Sequence, residues 1–345
     1  MKNVTTEKRY MYDLLVRKKI MKKMSSGIYM LLPRGMNIYL NFEQLILNLF
    51  HEQLNIAVVD FPLIVLESKS PKSIIEKYSK ICFFTESLRR RKYILASDIC
   101  LFEDEVALLL EKRPIMSNSI RFRNNYEPSD SKKRLFQYHS FEFAFSYLRD
   151  WKGMKKAIHM LSRELGINLF IRRKDNKSKE FNILAYGTQS IYECKKCKKK
   201  YLFNEGCCAE IVLNTNDVYY VIAHIQIDND IGYMGFSFEN LIGFICEVSQ
   251  HGDLGILPLP LENREVIITN TLNPLIQEIY NYFYNSGYNV YKKDGRVQEV
   301  VSEETLIFGY DEKKKKFLIY DGYTEQFSKL NENEMKDIMR GWKRY

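Results

Sequence analysis

Residues 24–36 read MSSGIYMLLPRGM and run directly into NIYLNFEQLILNLFHEQL at positions 37–54. The apolar residues of the second stretch recur at helical spacing: Phe42, Leu45, Ile46, Leu49, Phe50 and Leu54. This spacing is typical of one apolar face of an amphipathic helix, here over Met36 to Leu54. The run IAVVDFP at 56–62 is β-branched and stops at proline, which indicates a strand. The sequence therefore predicts a long helix that feeds into a strand.

Strand-like runs dominate residues 81–102 and 117–148. A polar loop at 124–133, rich in Asp, Ser, Pro and Lys, separates two of these runs and indicates an antiparallel sheet with an excursion between neighbouring strands. A helix is predicted from Lys152 to a C-cap at Gly166. Further elements are predicted in the order of the chain: a polar linker at 174–179, strands around Ile191, at 219–222 and at 224–227, and a buried helix at 241–248.

The residues after 262 alternate between strand and helix patterns. Pro258 and Pro260 mark a boundary before them. Strands are predicted at 265–268, 288–291, 305–309 and 317–320, and helices after the Asn273-Pro274 cap and at 332–342. This alternation favours a small α/β domain. We therefore expect an α/β (α+β) chain of two domains, with an antiparallel sheet core over residues 1–262 and a small α/β domain over 263–345.

Composition is that of a folded protein, with 46% hydrophobic and 28% charged residues in 345 positions. No apolar run reaches the roughly 18 residues that cross a bilayer, and no secretory segment opens the chain. The early acidic residues Glu7 and Asp13 argue against a mitochondrial presequence. We expect a cytoplasmic protein with no membrane partner, with a mitochondrial location as the alternative. The seven cysteines, an odd number in a large chain, predict reduced thiols.

The formal net charge of +9 is concentrated in runs at 17–23, 89–92, 195–200 and 313–316. Clustered positive charge favours a polyanionic partner, because each neutralised phosphate releases condensed counterions. The alternative is a lysine-rich composition whose charge runs are simply solvated. The candidates for nucleic-acid binding are Arg296, Lys313, Lys314, Lys315 and Lys316.

Several stretches in a fixed order carry a family signature: residues 24–36, the helix and strand ending at Pro62, EFNILA at 180–185 with ECKKC at 193–197, and HGDLGILP at 251–258. Together they resemble bacterial-type prolyl-tRNA synthetase, a class II aminoacyl-tRNA synthetase, without its editing insertion and with a shortened last domain. The resemblance implies a class II catalytic-like domain, an anticodon-binding-like domain and a homodimer built on motif 1.

Motif 2 of that family reads Phe-Arg-x-Glu, where the arginine bridges the α-phosphate of ATP and the amino acid carboxylate while the acid contacts adenine. FRNN at 122–125 matches it, so the resemblance implies that Arg123 is kept and the acid is replaced by Asn125. Arg134 fits the motif 2 loop, Tyr138 falls at an aromatic that stacks on adenine, and Gln137 replaces an acid. The nucleotide-binding candidates are Arg123, Arg134, Gln137 and Tyr138, and Arg123 is the residual catalytic candidate.

Motif 3 of the family reads Gly-x-Gly-x-x-Arg at the start of a buried helix, and its arginine holds the γ-phosphate. GFSFEN at 235–240 matches it and puts Asn240 at the arginine. No arginine lies between Arg173 and Arg264, so this loss does not depend on the alignment. The family's Thr-x-Glu loop, which reads the amino acid's ammonium, aligns with Asp98 and Cys100 and is not preserved. One lost electrostatic donor costs roughly 10²–10³ in rate, so we expect adenylation to be absent.

A zinc site is one interpretation of Cys194, Cys197, Cys207 and Cys208, since thiolates spaced as C-x-x-C suit tetrahedral zinc. The adjacent second pair is poor geometry for a zinc knuckle, and reduced surface thiols are the alternative.

Three functions are compatible with these residues. The first is a non-catalytic paralogue of prolyl-tRNA synthetase that binds tRNA or another nucleic acid, or serves as an accessory or regulatory subunit of a larger enzyme complex, with no cofactor. The second is a divergent prolyl-tRNA ligase or amino-acid-activating enzyme that uses ATP and Mg²⁺ through Arg123 and Arg134. The third is a module for protein interaction only. The first is our leading hypothesis, because a complete scaffold accompanies an incomplete phosphate clamp.

Overall fold

The computed structural model describes residues 8–69, 75, 82–123, 135–167, 169–174, 191–193, 200–202, 208–215, 218–228, 230–248, 261, 265–269, 272–285, 288–293, 305–322 and 326–342. The described helices are α1 (Lys8–Arg17), α2 (Pro33–Leu54), α3 (Glu103–Leu110), α4 (Tyr147–Glu164), α5 (Phe238–Val248), α6 (Pro274–Asn285) and α7 (Glu332–Trp342). None of them is long and apolar enough to cross a membrane.

The strands fall into several described sheets. The strands before residue 150 are β1 (Met21–Ser25), β2 (Ile28–Leu31), β3 (Ala57–Val58), β4 (Ile64–Leu66), β5 (Phe83–Glu86), β6 (Lys92–Leu95), β7 (Ile115–Phe122) and β8 (Gln137–Ser146). Those in the middle are β9 (Leu169–Lys174), β10 (Ile191–Glu193), β11 (Lys200–Leu202), β12 (Cys208–Thr215), β13 (Val218–Asp228) and β14 (Ile231–Ser237). The last five are β15 (Glu265–Ile268), β16 (Asn289–Lys292), β17 (Thr305–Asp311), β18 (Lys316–Asp321) and β19 (Gln326–Leu330).

The opening segment folds as the β1–β2 hairpin followed by α2. Gly27 turns the hairpin with a φ of 73°, a conformation that favours glycine. Pro33 opens α2 at a position where no backbone donor is needed. Gly35 lies against the carbonyl of Ile20, and a Cβ there would lie 2.0 Å from that oxygen. Glycine is therefore required at position 35 by a close backbone contact at the start of α2.

The main sheet contains seven of the described strands in the order β3-β7-β8-β14-β13-β12-β9. All neighbours are antiparallel except β3 and β7. One face packs under α2, α4 and α5 through aromatic contacts: Phe42 lies 5.2 Å from Phe141 and Phe50 lies 4.5 Å from Phe143, between ring centroids. The predicted amphipathic helix thus buries its apolar face on an antiparallel sheet.

The opposite face of this sheet forms a second core with α3 and the residues before it. Ile115 and Ala144 belong to this core, as do Phe61 and Phe102, which stack at 5.0 Å. The strands β4-β6-β5 form a small antiparallel sheet that contributes Ile94 and Val65 to this core.

The C-terminal strands form a mixed sheet in the order β16-β15-β17-β18-β19. The strand β15 is parallel to both β16 and β17, and the remaining pairs are antiparallel. The helices α6 and α7 bury Ile276, Phe283 and Met335 in a separate core with strand residues such as Phe308. The division into domains at 262/263 remains a prediction.

Some elements differ from the sequence prediction. Helices α1 and α3 were not predicted. The strand expected up to Phe102 ends at Leu95, and residues 99–102 form a short 3-10 helix capped by Asp98. The helix predicted from Lys152 begins at Tyr147, because the Ser146 hydroxyl accepts a hydrogen bond from the Arg149 backbone and Asp150 accepts one from the Ser146 backbone. The polar loop, nearly all of the linker at 174–179 and the 180–185 and 251–258 segments lie outside the described residues.

Candidate functional site

A polar strip crosses β7, β8 and β14 on the face that turns away from α2. Ser117 pairs with Glu142, Arg121 pairs with Tyr138, and Glu142 also pairs with Gly235. Directly opposed residues of antiparallel strands lie on the same face, so these side chains form one surface. The intervening positions hold the phenylalanines of the core.

A buried ion pair occupies the centre of the strip. The Arg121 Nε lies 2.9 Å and its Nη2 2.8 Å from Glu142 Oε2, and the Ser140 hydroxyl donates to Glu142 Oε1 at 3.2 Å. Burial raises the pKa of Glu142, although the Arg121 charge and these hydrogen bonds oppose the rise. Burial opposes ionisation of Arg121, but the attraction of Glu142 outweighs it and raises the pKa of the guanidinium. Sequence analysis named neither residue. A lone glutamate inside the aromatic run FEF at 141–143 was the available signal.

Asp98 lies beside this pair as a second buried carboxyl. Its Oδ1 accepts a hydrogen bond from the Cys100 backbone at 2.9 Å, and this cap begins the 3-10 helix. Burial and the charge of Glu142 raise the pKa of Asp98 to about 7, although Arg123 and Arg121 act in the opposite direction. Neither Asp98 Oδ2 nor Arg121 Nη1 has a hydrogen-bond partner among the described residues. Two buried polar atoms of the cluster therefore lack a described hydrogen-bond partner, and Asp98 and Arg121 influence each other electrostatically.

Arg123 and Tyr138 complete the cluster. Arg123 directly follows β7, is buried, and donates its backbone N–H to the Phe136 carbonyl at 2.9 Å. The Tyr138 hydroxyl donates to the Ser97 carbonyl at 3.0 Å, and burial raises its pKa. Gln137 pairs with Phe122 in the β7–β8 register. Of the predicted nucleotide-binding residues, Arg123 and Tyr138 are thus brought together with Asp98. Arg134 and Asn125 lie outside the described residues.

The first turn of α5 contains Asn240, the residue predicted from the sequence to stand at the motif 3 arginine. Asn240 Oδ1 accepts a hydrogen bond from the Tyr12 hydroxyl, and Tyr12 belongs to the core on the α2 side of the sheet. Glu239 accepts from the His139 backbone at 3.0 Å and from the Ser237 hydroxyl at 2.9 Å. The hydrogen bonds and ion pairs found in the described part of the chain join no lysine or arginine to Ser237, Glu239 or Asn240. These contacts join α5 to α1 and β8.

The predicted lysine cluster spans the exposed turn between β17 and β18 and the first residue of β18. Asp311 Oδ1 accepts from the Lys313 and Lys314 backbones, at 3.1 Å each, and Lys315 adopts a φ of 49°. The side chains of Lys313, Lys314, Lys315 and Lys316 are exposed. Arg296 lies outside the described residues.

The predicted zinc ligands lie mostly outside the described residues. This holds for Cys194, Cys197 and Cys207, and Cys208 begins β12 without a described side chain. The remaining cysteines, Cys82, Cys100 and Cys246, are buried and form no disulfide with any described residue. Zinc binding remains a prediction.

No protein-family model matches the chain, and no curated protein matches its sequence. Among solved structures it is similar to prolyl-tRNA synthetase from Cryptosporidium parvum in complex with halofuginone and AMPPNP, at a TM-score of 0.59 and 11% identity, covering 99% of this chain and 79% of that one. The chain has a class II synthetase-like fold. The same synthetase in complex with L-proline and AMP gives a TM-score of 0.57 at 12% identity, covering 99% of this chain and 80% of that one. This level of identity establishes the fold alone, so the predicted fold class is confirmed and the altered motifs remain predictions.

Proposed function

We propose that the chain is a non-catalytic relative of prolyl-tRNA synthetase that binds nucleic acid as an accessory or regulatory subunit. The observation that carries this proposal is the hydrogen bond from Tyr12 to Asn240. Asn240, which the resemblance aligns with the phosphate-binding arginine, is bonded instead to Tyr12 of α1. A carboxylate, Glu239, is its neighbour in the chain.

The electrostatics of this turn support the loss of adenylation. Transfer at the α-phosphate requires preorganised cations that hold the triphosphate while charge develops. Asn240 supplies no charge, and no arginine lies in residues 174–263 to replace it. Arginine's planar fork is also not reproduced by lysine. ATP and Mg²⁺ are therefore not cofactors in this proposal.

The nucleic-acid part of the proposal is supported by charge and by the likeness to tRNA synthetases. The β17–β18 turn and the first residue of β18 present four exposed lysines, and Asp311 fixes the backbone of the turn. We place the protein in the cytoplasm. We also infer a homodimer, because the opening hairpin and α2 expose large apolar side chains: Met24, Met30, Met36 and Leu40.

Neutralising the turn is expected to weaken binding of tRNA. Replacing Lys313, Lys314 and Lys316 by Gln should raise the Kd at low salt about tenfold and reduce the slope of log K against log salt by about 0.7–0.9 for each phosphate that is no longer neutralised. Lys315 is left in place because of its positive φ. The measurement is a salt-dependent filter-binding titration.

The matched control replaces Lys152, Lys155 and Lys156 by Gln on the exposed side of α4, with the same change in charge. This variant should bind like the wild type. If both variants weakened tRNA binding equally, the change in net charge alone would explain the effect. If the wild type bound no tRNA at low salt, the protein-interaction module would be favoured.

A second function, a divergent amino-acid-activating enzyme, is favoured by one observation. The buried Asp98 Oδ2 and Arg121 Nη1 provide an unsatisfied acceptor and donor, which is the pair that an amino acid's ammonium and carboxylate need. In that case Arg123 and Arg134 would contact ATP. Pyrophosphate exchange separates the two functions.

A further inference from the structure

The hairpin between β5 and β6 ends in a turn of defined geometry. Its residues 87–91 read SLRRR. The Ser87 backbone donates to the Arg91 carbonyl at 2.9 Å, the Arg90 backbone donates to the Ser87 carbonyl at 2.8 Å, and the Ser87 hydroxyl accepts from the Arg91 backbone at 3.2 Å. The tip is therefore a fixed platform for the side chains that it carries.

These side chains face solvent. Leu88 is fully exposed, and Arg89, Arg90 and Arg91 are all exposed. No ion pair in the described part of the chain includes any of the three arginines. The acidic residue of the hairpin, Glu86, lies opposite Lys92 in the register. Three adjacent positive charges are thus left without a described counter-charge.

Arg90 also occupies a backbone conformation that suits glycine. Its φ is 60°, in the left-handed region where turns of this kind prefer Gly or Asn. An arginine there is strained, and no described side-chain contact compensates for the strain. A residue whose backbone conformation is unfavourable, and which gains no stabilising contact in return, is expected at a functional surface.

We infer that this hairpin tip, residues 87–92, is a second nucleic-acid contact that grips the phosphate backbone of an RNA. Guanidinium groups match phosphate oxygens with paired donors, and backbone contacts of this kind position an RNA without reading its sequence. Leu88 lies at the apex, where an apolar side chain can pack on a sugar or base. A membrane surface is disfavoured, because one leucine supplies too little apolar area for anchoring. The inference rests on the proposed nucleic-acid function and adds a surface in the synthetase-like core.

The test uses the Arg90→Gly variant, which removes one charge and relieves the strained φ. We expect it to fold at least as stably as the wild type by urea titration, and to bind total tRNA roughly fivefold more weakly at low salt, with a salt slope lower by about 0.7–0.9. Lys19→Gly is the matched control, because Lys19 is exposed, positively charged and has a φ of 52°. It should bind tRNA like the wild type.

The other outcomes overturn the inference in different ways. Unchanged tRNA binding by Arg90→Gly, together with weakened binding by the Lys313, Lys314 and Lys316 variant, would refute the hairpin contact and leave the proposed function standing. If Lys19→Gly weakened tRNA binding equally, the effect of Arg90→Gly would be explained by the change in net charge alone. Loss of binding to vesicles of phosphatidylserine and phosphatidylcholine, with tRNA binding intact, would indicate a membrane surface. A wild-type chain that binds no tRNA would remove both proposals.

Discussion

Replacing Glu142 by Gln is expected to lower the free energy of unfolding by about 3–5 kcal/mol, the usual cost of breaking a buried ion pair from one side. Glutamine would keep the volume of the side chain but leave the Arg121 guanidinium, which cannot lose its proton, without its counter-ion in the sheet. Urea unfolding at pH 7, followed by circular dichroism, measures the change.

The exposed pair of Arg163 and Glu164 provides the comparison. Its atoms approach to 3.1 Å, but the arginine side chain is 72% exposed and the glutamate side chain 37%. Glu164→Gln should change the free energy of unfolding by less than about 1 kcal/mol, because water screens the interaction. If Glu142→Gln changed the free energy of unfolding as little as Glu164→Gln, Arg121 and Glu142 would not form a buried ion pair.

Asp98→Asn is expected to act in the opposite direction, by stabilising the fold at neutral pH. The pKa of Asp98 is raised from 3.8 to about 7 in the folded chain. Between these two values the unfolded chain releases a proton that the folded chain keeps, so the wild type loses stability as the pH rises. The loss is complete above pH 7, where both states are ionised. Asparagine at this position does not titrate, and it keeps the Oδ1 that caps the Cys100 backbone.

The stability difference between Asp98→Asn and wild type should therefore grow from pH 4 to pH 7 and then level off. Its upper limit is about 4 kcal/mol, at 1.36 kcal/mol for each pKa unit. Urea titrations at several pH values measure it. A difference that stays constant with pH, or grows toward acid, would contradict the burial of an ionisable carboxyl at this position.

The sequence was most informative where local chemistry decides the structure. The stripe of α2 and the Asn273-Pro274 start of α6 needed only helical spacing and capping rules, and Asn273 does accept hydrogen bonds from the Leu275 and Ile276 backbones. The strands β15, β17 and β18 were found from their β-branched and aromatic runs. These elements indicated an α/β chain, the family resemblance implied the class II-like fold, and the solved structures confirm that fold.

The site was harder to predict from the sequence, because it depends on strand register. Arg123 was found by resemblance, whereas Arg121, two residues earlier on the same face, forms the buried pair with Glu142. Only the pairing of β7 with β8 brings these two residues together. Asp98 was aligned with the Thr-x-Glu loop by resemblance, and nothing in the sequence indicated that it is a buried cap with a raised pKa. The Tyr12 contact to Asn240 joins residues 228 apart in sequence, which no local pattern reports.

Proline-dependent ATP–pyrophosphate exchange tests the proposed loss of catalysis most directly. We expect the wild-type chain to show no exchange above a protein-free reaction, and Arg123→Ala, with its fold verified by circular dichroism, to show the same rate. Exchange that is robust in the wild type and abolished by Arg123→Ala would contradict a non-catalytic function, since a scaffold whose Asn240 binds Tyr12 would then still activate an amino acid.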